Sequence, residues 1–383
     1  MKILHTSDWH IGSKLNGRSR EAEQKAVIDE ICKIADERDV DVALVLGDIF
    51  NGKASAPYAD KMIIDGLMKL SNNGNRAVVA LLGNHDDPDR LSASKSFAEQ
   101  QNIFFVTSPT YTPSNPISQN HKINLIEYGR GFLKFQKGSE IMVVNLMPCP
   151  SKWFRMENAL PGETTKDKMK RIFSTGATEF SKDTINISVG HFFIPFEGAP
   201  ANMSREVDFS VIPKAHYTAL GHVHEGGVVD EKNNVIYSGS PMQVYFTEPA
   251  KKHVIVAELN NKGLLYKNYV RIRKMQTLAV VNAKNYDDLV NKLASHEGSL
   301  VSVNLHEDSF TPSQIKKIRE NYKNVVNINI LNDTKKKIDI SSKSLDPVKV
   351  FSSFYKDIMQ KDASKQLQET FLEAYEGGVN SEN

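Results

Sequence analysis

Two stretches constrain the fold of this chain most, residues 41–47 (DVALVLG) and 77–82 (AVVALL). Both are apolar, largely β-branched runs that are too short for a buried helix. They lack the polar alternation of a strand with one wet face, so each is expected as a strand covered on both sides. Residues 57–70, between them, place Met62, Ile63, Gly66, Leu67 and Leu70 on one helical face, and residues 21–38 carry Ala22, Val27, Ile31, Ile34 and Ala35 at helical spacing. Alternation of strand and helix predicts a largely parallel layer with its ligands at the carboxyl ends of the strands. At those ends stand Asp48-Ile49-Phe50, then Gly83-Asn84-His85-Asp86, and, after the apolar Ile3-Leu4, Asp8-Trp9-His10.

The pattern returns later in the chain. Residues 140–146 read as a strand, residues 185–189 lead to Gly190-His191, and residues 217–220 lead to Gly221-His222-Val223-His224. Residues 235–238 and 253–259 complete a second sheet-like half, so a core domain is expected over residues 1–273. Residues 276–332 then spell a small βαβαβ unit, with Thr311-Pro312-Ser313-Gln314 as a capping-box start and Pro at the first helical position. A Lys- and Ser-rich linker follows at 333–345. Residues 346–378 read as helices with two stripes, Val348, Phe351, Tyr355 and Ile358, then Leu367, Phe371, Ala374 and Tyr375. Two short helices with such stripes bury themselves poorly alone, so they either dock on the parent domain or fit a partner's groove. The expected fold class is α/β: two central β-sheets flanked by helices, a small βαβαβ capping domain and C-terminal helices.

Composition narrows the class of molecule. A chain of 383 residues with a formal net charge of +2 gives no argument for a nucleic-acid partner from charge alone; any such affinity would rest on local patches. The two cysteines, Cys32 and Cys149, form no CxxC pair, which points away from a disulfide framework and from a thiolate zinc site. The apolar runs fall short of the ~18 residues of a membrane span, and the polar Thr6-Ser7-Asp8 interrupts any secretory h-region. A cytoplasmic, reduced protein is expected, in the host cytoplasm if it is virus-encoded.

The strand-end residues Asp8, His10, Asp48, Asn84, His85, His191, His222 and His224 comprise two Asp, one Asn and five His. Imidazole and oxygen donors together suit Mn, Fe or Zn. Eight groups are too many for one ion but suit two ions about 3.5–4 Å apart, which can activate water and clamp a phosphate. One carboxylate must bridge such a pair, and Asp48, leaving a buried strand, is the expected bridge. His85, next to Asn84, is better placed as a proton donor to a leaving oxygen than as a ligand. Other features bear bland readings beside functional ones. Residues 47–53 spell GxxxxGK, but Ala54 denies a P-loop its metal-binding hydroxyl. Trp9 reads as packing or as a base-stacking platform. Lys14, Arg18 and Arg20 read as phosphate contacts or as a solvated face.

The ordered set Asp8-x-His10, Gly47-Asp48, Gly83-Asn84-His85-Asp86, Gly190-His191 and Gly221-His222-x-His224 resembles the motifs of the calcineurin-like metallophosphoesterases. Thr6 to Gly12, Gly47-Asp48-Ile49-Phe50, Ala219 to His224 and Tyr237-Ser238-Gly239-Ser240-Pro241 are similar to the SbcD family of DNA-repair exonuclease subunits. That resemblance implies Asp8, His10, Asp48 and His224 on one Mn2+, Asp48, Asn84, His191 and His222 on a second, and His85 as acid. It implies exo- or endonuclease activity on DNA in end processing, repair or recombination, and a coiled-coil ABC ATPase partner of the SbcC type. That partner would grip the terminal helices through Phe351, Tyr355, Ile358, Leu367, Phe371 and Tyr375. It also implies a homodimer through helices near 57–70 and 88–100, supported on the second by Leu91, Phe97 and Ala98. Asn51 departs from the family pattern at a position tied to substrate handling. A phosphatase or small-molecule phosphodiesterase on the same fold is the rival reading, and a catalytically quiet DNA-end scaffold is a third.

Overall fold

The chain begins with β1 (Lys2–Thr6), a short ribbon of β2 (Lys14–Leu15) and β3 (Arg18–Ser19), α1 (Glu21–Glu37), β4 (Val42–Leu46), α2 (Tyr58–Ser71) and β5 (Ala77–Leu81). Two short helices, α3 (Pro88–Ser92) and α4 (Lys95–Gln100), lead to β6 (Ile103–Val106). The structure is a computed structural model. It describes residues 1–331 except 53–55, 93, 115–120, 151–153, 155–156, 201–202, 204–205 and 307–308, then 348, 351–352, 355–356, 361–368 and 370–372. β1, β4, β5 and β6 run parallel in one sheet. Along β4, Ala43 and Val45 face α1 and α2, whereas Val42, Leu44 and Leu46 face the opposite way. Both faces are covered, which is why the sequence shows no alternation.

The second sheet contains β7 (Asn124–Gly129), β8 (Phe132–Lys137) and β9 (Glu140–Met147), then, after α5 (Thr165–Thr175), β10 (Ile185–His191), β11 (Tyr217–Gly221), β12 (Gly227–Asp230) and β13 (Val235–Tyr237). β14 (His253–Asn260) and β15 (Gly263–Arg271) return to the first sheet, β14 pairing antiparallel with β1. The sheets share one apolar layer in which Leu44, Leu46, Val79 and Leu81 meet Val144, Leu146, Ile187 and Val189. Burying each such side chain contributes about 1.5–3 kcal/mol, so this layer fixes the sheets against each other. β9, β10, β11 and β13 are parallel, and the carboxyl ends of the central strands of both sheets fall along one edge.

The small unit is β16 (Leu278–Ala283), α6 (Tyr286–Ala294), β17 (Leu300–His306), α7 (Pro312–Asn321) and β18 (Val325–Leu331), with all three strands parallel. Thr311 and Gln314 form the capping box that their spacing predicts. Residues Met1–Leu331, layered core and three-stranded unit together, make one compact unit, and Asn332–Asn383 a second. Within the first, Leu15, Leu278 and Leu300 pack together with Phe246 and Val326 against them. Arg18 donates to the Lys323 carbonyl at 2.8 Å and Asn16 to that of Val326 at 3.3 Å, so the β2–β3 ribbon props the small unit.

Two expectations need correction. Arg20 is buried, paired with Glu23 at 2.9 Å and donating to the Gln243 carbonyl at 2.6 Å, so it is not available to a phosphate. The stretch 88–100 is two short helices, and Leu91 and Ala98 are buried in the chain's own core; Phe97, 56% exposed, is the apolar side chain this face presents. Trp9 is buried with its indole N–H on Thr6 Oγ1 at 3.0 Å, in agreement with the packing reading of this residue. In the second unit, Phe351 stacks on Phe371 at 4.3 Å between ring centroids, and Tyr355 lies beside Phe351. Leu367 is half-buried; Ile358, Ala374 and Tyr375 lie outside the described residues.

The buried Gln243 side chain joins core to small unit. Its Oε1 accepts from the Leu278 amide at 2.8 Å and its Nε2 donates to the Leu278 carbonyl at 3.3 Å. Gln243→Ala leaves that amide without its partner, at a local cost of about 1–3 kcal/mol. Hydrogen exchange in peptides covering 276–283 should quicken accordingly, and unchanged protection would show that Leu15 and Phe246 hold the docking by themselves.

Candidate metal centre

The turns that leave β1, β4 and β11 are held in an uncommon backbone conformation. Asp8, His10 and Asp48 have φ of 55°, 45° and 49°, and His222 has 101°. Positive φ costs a non-glycine residue about 1–3 kcal/mol and persists where its surroundings impose it. Here the first two turns are zipped together: Asp8 N–H donates to the Gly47 carbonyl, His10 N–H to that of Asp48 and Ile11 N–H to that of Ile49, each at 2.9 Å. Glycine is required where the loops close. A Cβ on Gly47 would run into the His191 ring, and one on Gly83 into the Asp48 carboxylate.

These turns gather two donor clusters, Asp8 with His10 and His224, and Asp48 with His191 and His222. Within each, the donor atoms all lie within 4.8 Å of one another. Both ring orientations that can be read from partners point a lone pair inward. His191 Nδ1 meets the Leu46 carbonyl at 2.8 Å, so it carries the hydrogen, and its Nε2 faces Asn84 Oδ1 at 3.3 Å and Asp48 Oδ1 at 3.4 Å. His224 Nδ1 meets Glu248 Oε1 at 2.9 Å, leaving its Nε2 3.0 Å from His10 Nε2. The buried His10 Nδ1 has no hydrogen-bond partner among the described residues. Acceptors converging on acceptors in a buried place fit a cation, and partners on the far ring nitrogens are those that metal-binding imidazoles use.

The charges agree. Burial would raise the Asp48 carboxyl, but the His191 and His10 imidazoles hold it well below its usual range. Burial would lower His191, yet Asp48 raises it to about 9, so the inward-facing Nε2 attracts positive charge, whether a proton or a cation. His10, where burial outweighs Asp48, falls to about 4 and stays a neutral donor at physiological pH. His85 belongs to neither cluster. It is exposed, with Nε2 3.9 Å from Asp48 Oδ2, its ring 5.1 Å from that of His10, and its backbone N–H on Asp48 Oδ1 at 2.8 Å. Of the expected substrate contacts, Lys14 and Asn51 are exposed, Asn51 held through its N–H on the Ile11 carbonyl at 3.0 Å. Arg18 is engaged with the small unit.

Motif spacing alone misses a supporting set. Glu248 is buried and also accepts from Lys252 Nζ at 2.6 Å, Ser240 Oγ at 3.2 Å and the Val244 and Tyr245 amides. Burial would raise its carboxyl, but His224 and Lys252 bring it down to about 2, so it stays charged behind His224. Asp86 accepts from the Gly83, Phe50 and Ile49 amides at 2.8, 2.8 and 3.3 Å, tying the β4 loop to the β5 loop. Burial and the Asp48 charge raise its carboxyl. The signal for Glu248 and Lys252 is their spacing of four residues; that for Asp86 is its place after Asn84-His85.

Two adjoining clusters of oxygen and imidazole donors at the joined edges of two stacked sheets define a candidate dimetal centre. The chain belongs to the calcineurin-like phosphoesterase family, whose sequence profile matches residues 1–226. It is similar to the SbcD component of the nuclease SbcCD of Bacillus subtilis (strain 168), at 28% identity over 267 residues; the match covers 65% of this chain and 63% of that protein's length. Two solved structures resemble it distantly. TT1561 of Thermus thermophilus shares 11% identity at a TM-score of 0.37, over 70% of this chain and 99% of that one. A dimetal phosphatase from Danio rerio shares 13% at 0.36, over 71% and 99%. Likeness at such scores says nothing of chemistry.

Glu248→Ala removes the partner that orients His224. Affinity at the Asp8–His10–His224 position should fall about 10- to 100-fold, while the position built on Asp48 and His191 keeps its metal. Titration with Mn2+ and metal counting on the dialysed protein would separate the two positions, and equal loss at both would argue for general collapse.

Proposed function

We propose that this chain is a metal-dependent nuclease of the SbcD type that hydrolyses DNA phosphodiesters. The observation that carries the reading is an exposed imidazole, His85, standing over the Asp48 edge of two buried donor clusters. Asp8, His10 and His224 would hold one divalent cation and Asn84, His191 and His222 the other, with Asp48 shared. These oxygen and imidazole donors suit Mn2+, Fe2+ or Zn2+, and the resemblance to the SbcD family favours Mn2+ among them. When bound, such a pair polarises the phosphate and makes water a competent nucleophile. His85 Nε2 then gives its proton to the departing O3′, and Asp48 fixes the loop that carries His85 through the bond to its amide. Asp86 holds that loop from beneath.

The relative's name, a component of SbcCD, supports a partner subunit here also, and we place an SbcC-type ATPase on the terminal helices. The stacked Phe351 and Phe371, with Tyr355 and Leu367, are the described part of that face. A homodimer through α2 and the α3–α4 pair would use Phe97. Among the described residues no helix is long and apolar enough to cross a membrane.

The purified chain should degrade DNA in Mn2+. His85→Ala should lose cleavage by about 10²- to 10⁴-fold, the usual contribution of a general acid, while metal analysis still finds two ions per chain. Removing Asp8 or His10 should empty one position first and leave the Asn84–His191–His222 position at least partly filled. Turnover of a nitrophenyl phosphomonoester with DNA left intact would replace this reading with the phosphatase one.

A further inference from the structure

Four rings form a row across the candidate centre. His85 packs against His10 at 5.1 Å between centroids, His10 against His224 at 4.8 Å, and His224 against Tyr245 at 5.8 Å. The inner two are ligand residues and buried or nearly so, whereas the ends are open: the His85 side chain is 43% exposed and Tyr245 57%. The Tyr245 ring lies within 6° of parallel to the His224 imidazole. It is held firmly. Its backbone N–H donates to Glu248 Oε1 at 3.1 Å and that of Val244 to Glu248 Oε2 at 3.2 Å, while the next residue, Phe246, packs where the small unit docks. A large aromatic surface is thus left in water beside a ligand imidazole, on a backbone fixed by a buried carboxylate.

We infer that Tyr245 is the stacking platform for the base of the nucleotide that keeps the phosphate. The inference deepens the nuclease reading and rests on its assignment of His85 to the leaving group. Displacement at phosphorus expels one nucleotide and leaves the other joined to the phosphate. Water adds to phosphorus, the P–O3′ bond breaks, and the proton from His85 goes to O3′, so the strand ending in O3′ leaves on the His85 side. The attacking water stands opposite O3′, and the 5′-oxygen of the retained nucleotide is equatorial between them. Its base is therefore free to turn away from His85, toward His224 and the exposed Tyr245 ring. Stacking suits this place because every base has an aromatic face, which allows hydrolysis of DNA irrespective of sequence. The role is that of a substrate-binding residue, and it sets a preference for nucleotidyl esters over simple phosphate esters.

Calorimetric titration of the full chain in Mn2+ with thymidine 5′-monophosphate and with inorganic phosphate tests it without turnover. The wild type should bind the nucleotide more tightly than phosphate. Tyr245→Ala should shrink that preference about tenfold, within the range that loss of one base stack produces, and Tyr245→Phe should keep it. An unchanged preference in Tyr245→Ala, or none in the wild type, would overturn the inference. So would a parallel loss of affinity for both ligands, since that marks a ring that only supports His224. DNA cleavage is read separately on the same preparations. Cleavage with an unchanged preference removes the role of Tyr245 and leaves the nuclease reading intact; a Tyr245-dependent preference without cleavage keeps the nucleotide site and removes the nuclease.

Discussion

Everything at the candidate centre depends on four acidic side chains, Asp8, Asp48, Asp86 and Glu248, lying buried close to one edge of the sheet sandwich. Carboxylates out of water are costly unless each is paired or hydrogen-bonded. The protein answers this differently for each. Asp86 accepts three backbone amides, and Glu248 has Lys252 and two amides. Asp8 takes the Ser7 hydroxyl at 2.5 Å and the His222 amide. Asp48 has one backbone amide, from His85, and is otherwise surrounded by imidazoles. The two carboxylates with the fullest complement of amide and ammonium partners are the supports, and the two with the smaller complement are the ones assigned to cations. That division separates ligand from scaffold on physical grounds.

The positions of the donors are legible in the amino-acid sequence because each follows a short apolar run. Burial of a strand on both faces leaves its end as the first place where polar side chains can stand, so Asp48, Asn84, His191 and His222 stand out. Glu248 and Lys252 are not legible in this way, since they lie in an irregular loop and act only once that loop folds beneath His224. Arg20 misleads because a basic residue near a motif reads as a phosphate contact, although Glu23, three residues on, is the warning. Elements with weak burial are hard to read as well. β15, at the edge of its sheet, has scattered exposed positions and therefore no alternation, and α5 buries only a short stripe around Met169, Ile172 and Phe173.

The small unit gives a second example of a surface read differently once placed. The first row across the face of its parallel sheet, Leu278 and Leu300, is spent on docking against Leu15 and Phe246. Farther along the same strands, Asn282, Asn304 and Asn329 bond to one another across all three, at 2.7 and 2.8 Å. The chained amides keep this half of the face hydrophilic. One sheet face thus serves as joint at one end and as hydrophilic surface at the other.

The wide separation of the donors along the chain bears on how the centre comes into being. His224 joins Asp8 across more than half the sequence, and His191 and His222 join Asp48 from another sheet. Neither cluster exists until both sheets have formed and closed on their common layer, because contacts so distant in sequence are made late. A nascent chain bearing β1 to β6 would expose Asp8, His10 and Asp48 without a complete set at either position. A complete donor set would then arrive only with the finished sandwich, so a half-made chain would hold neither cluster whole.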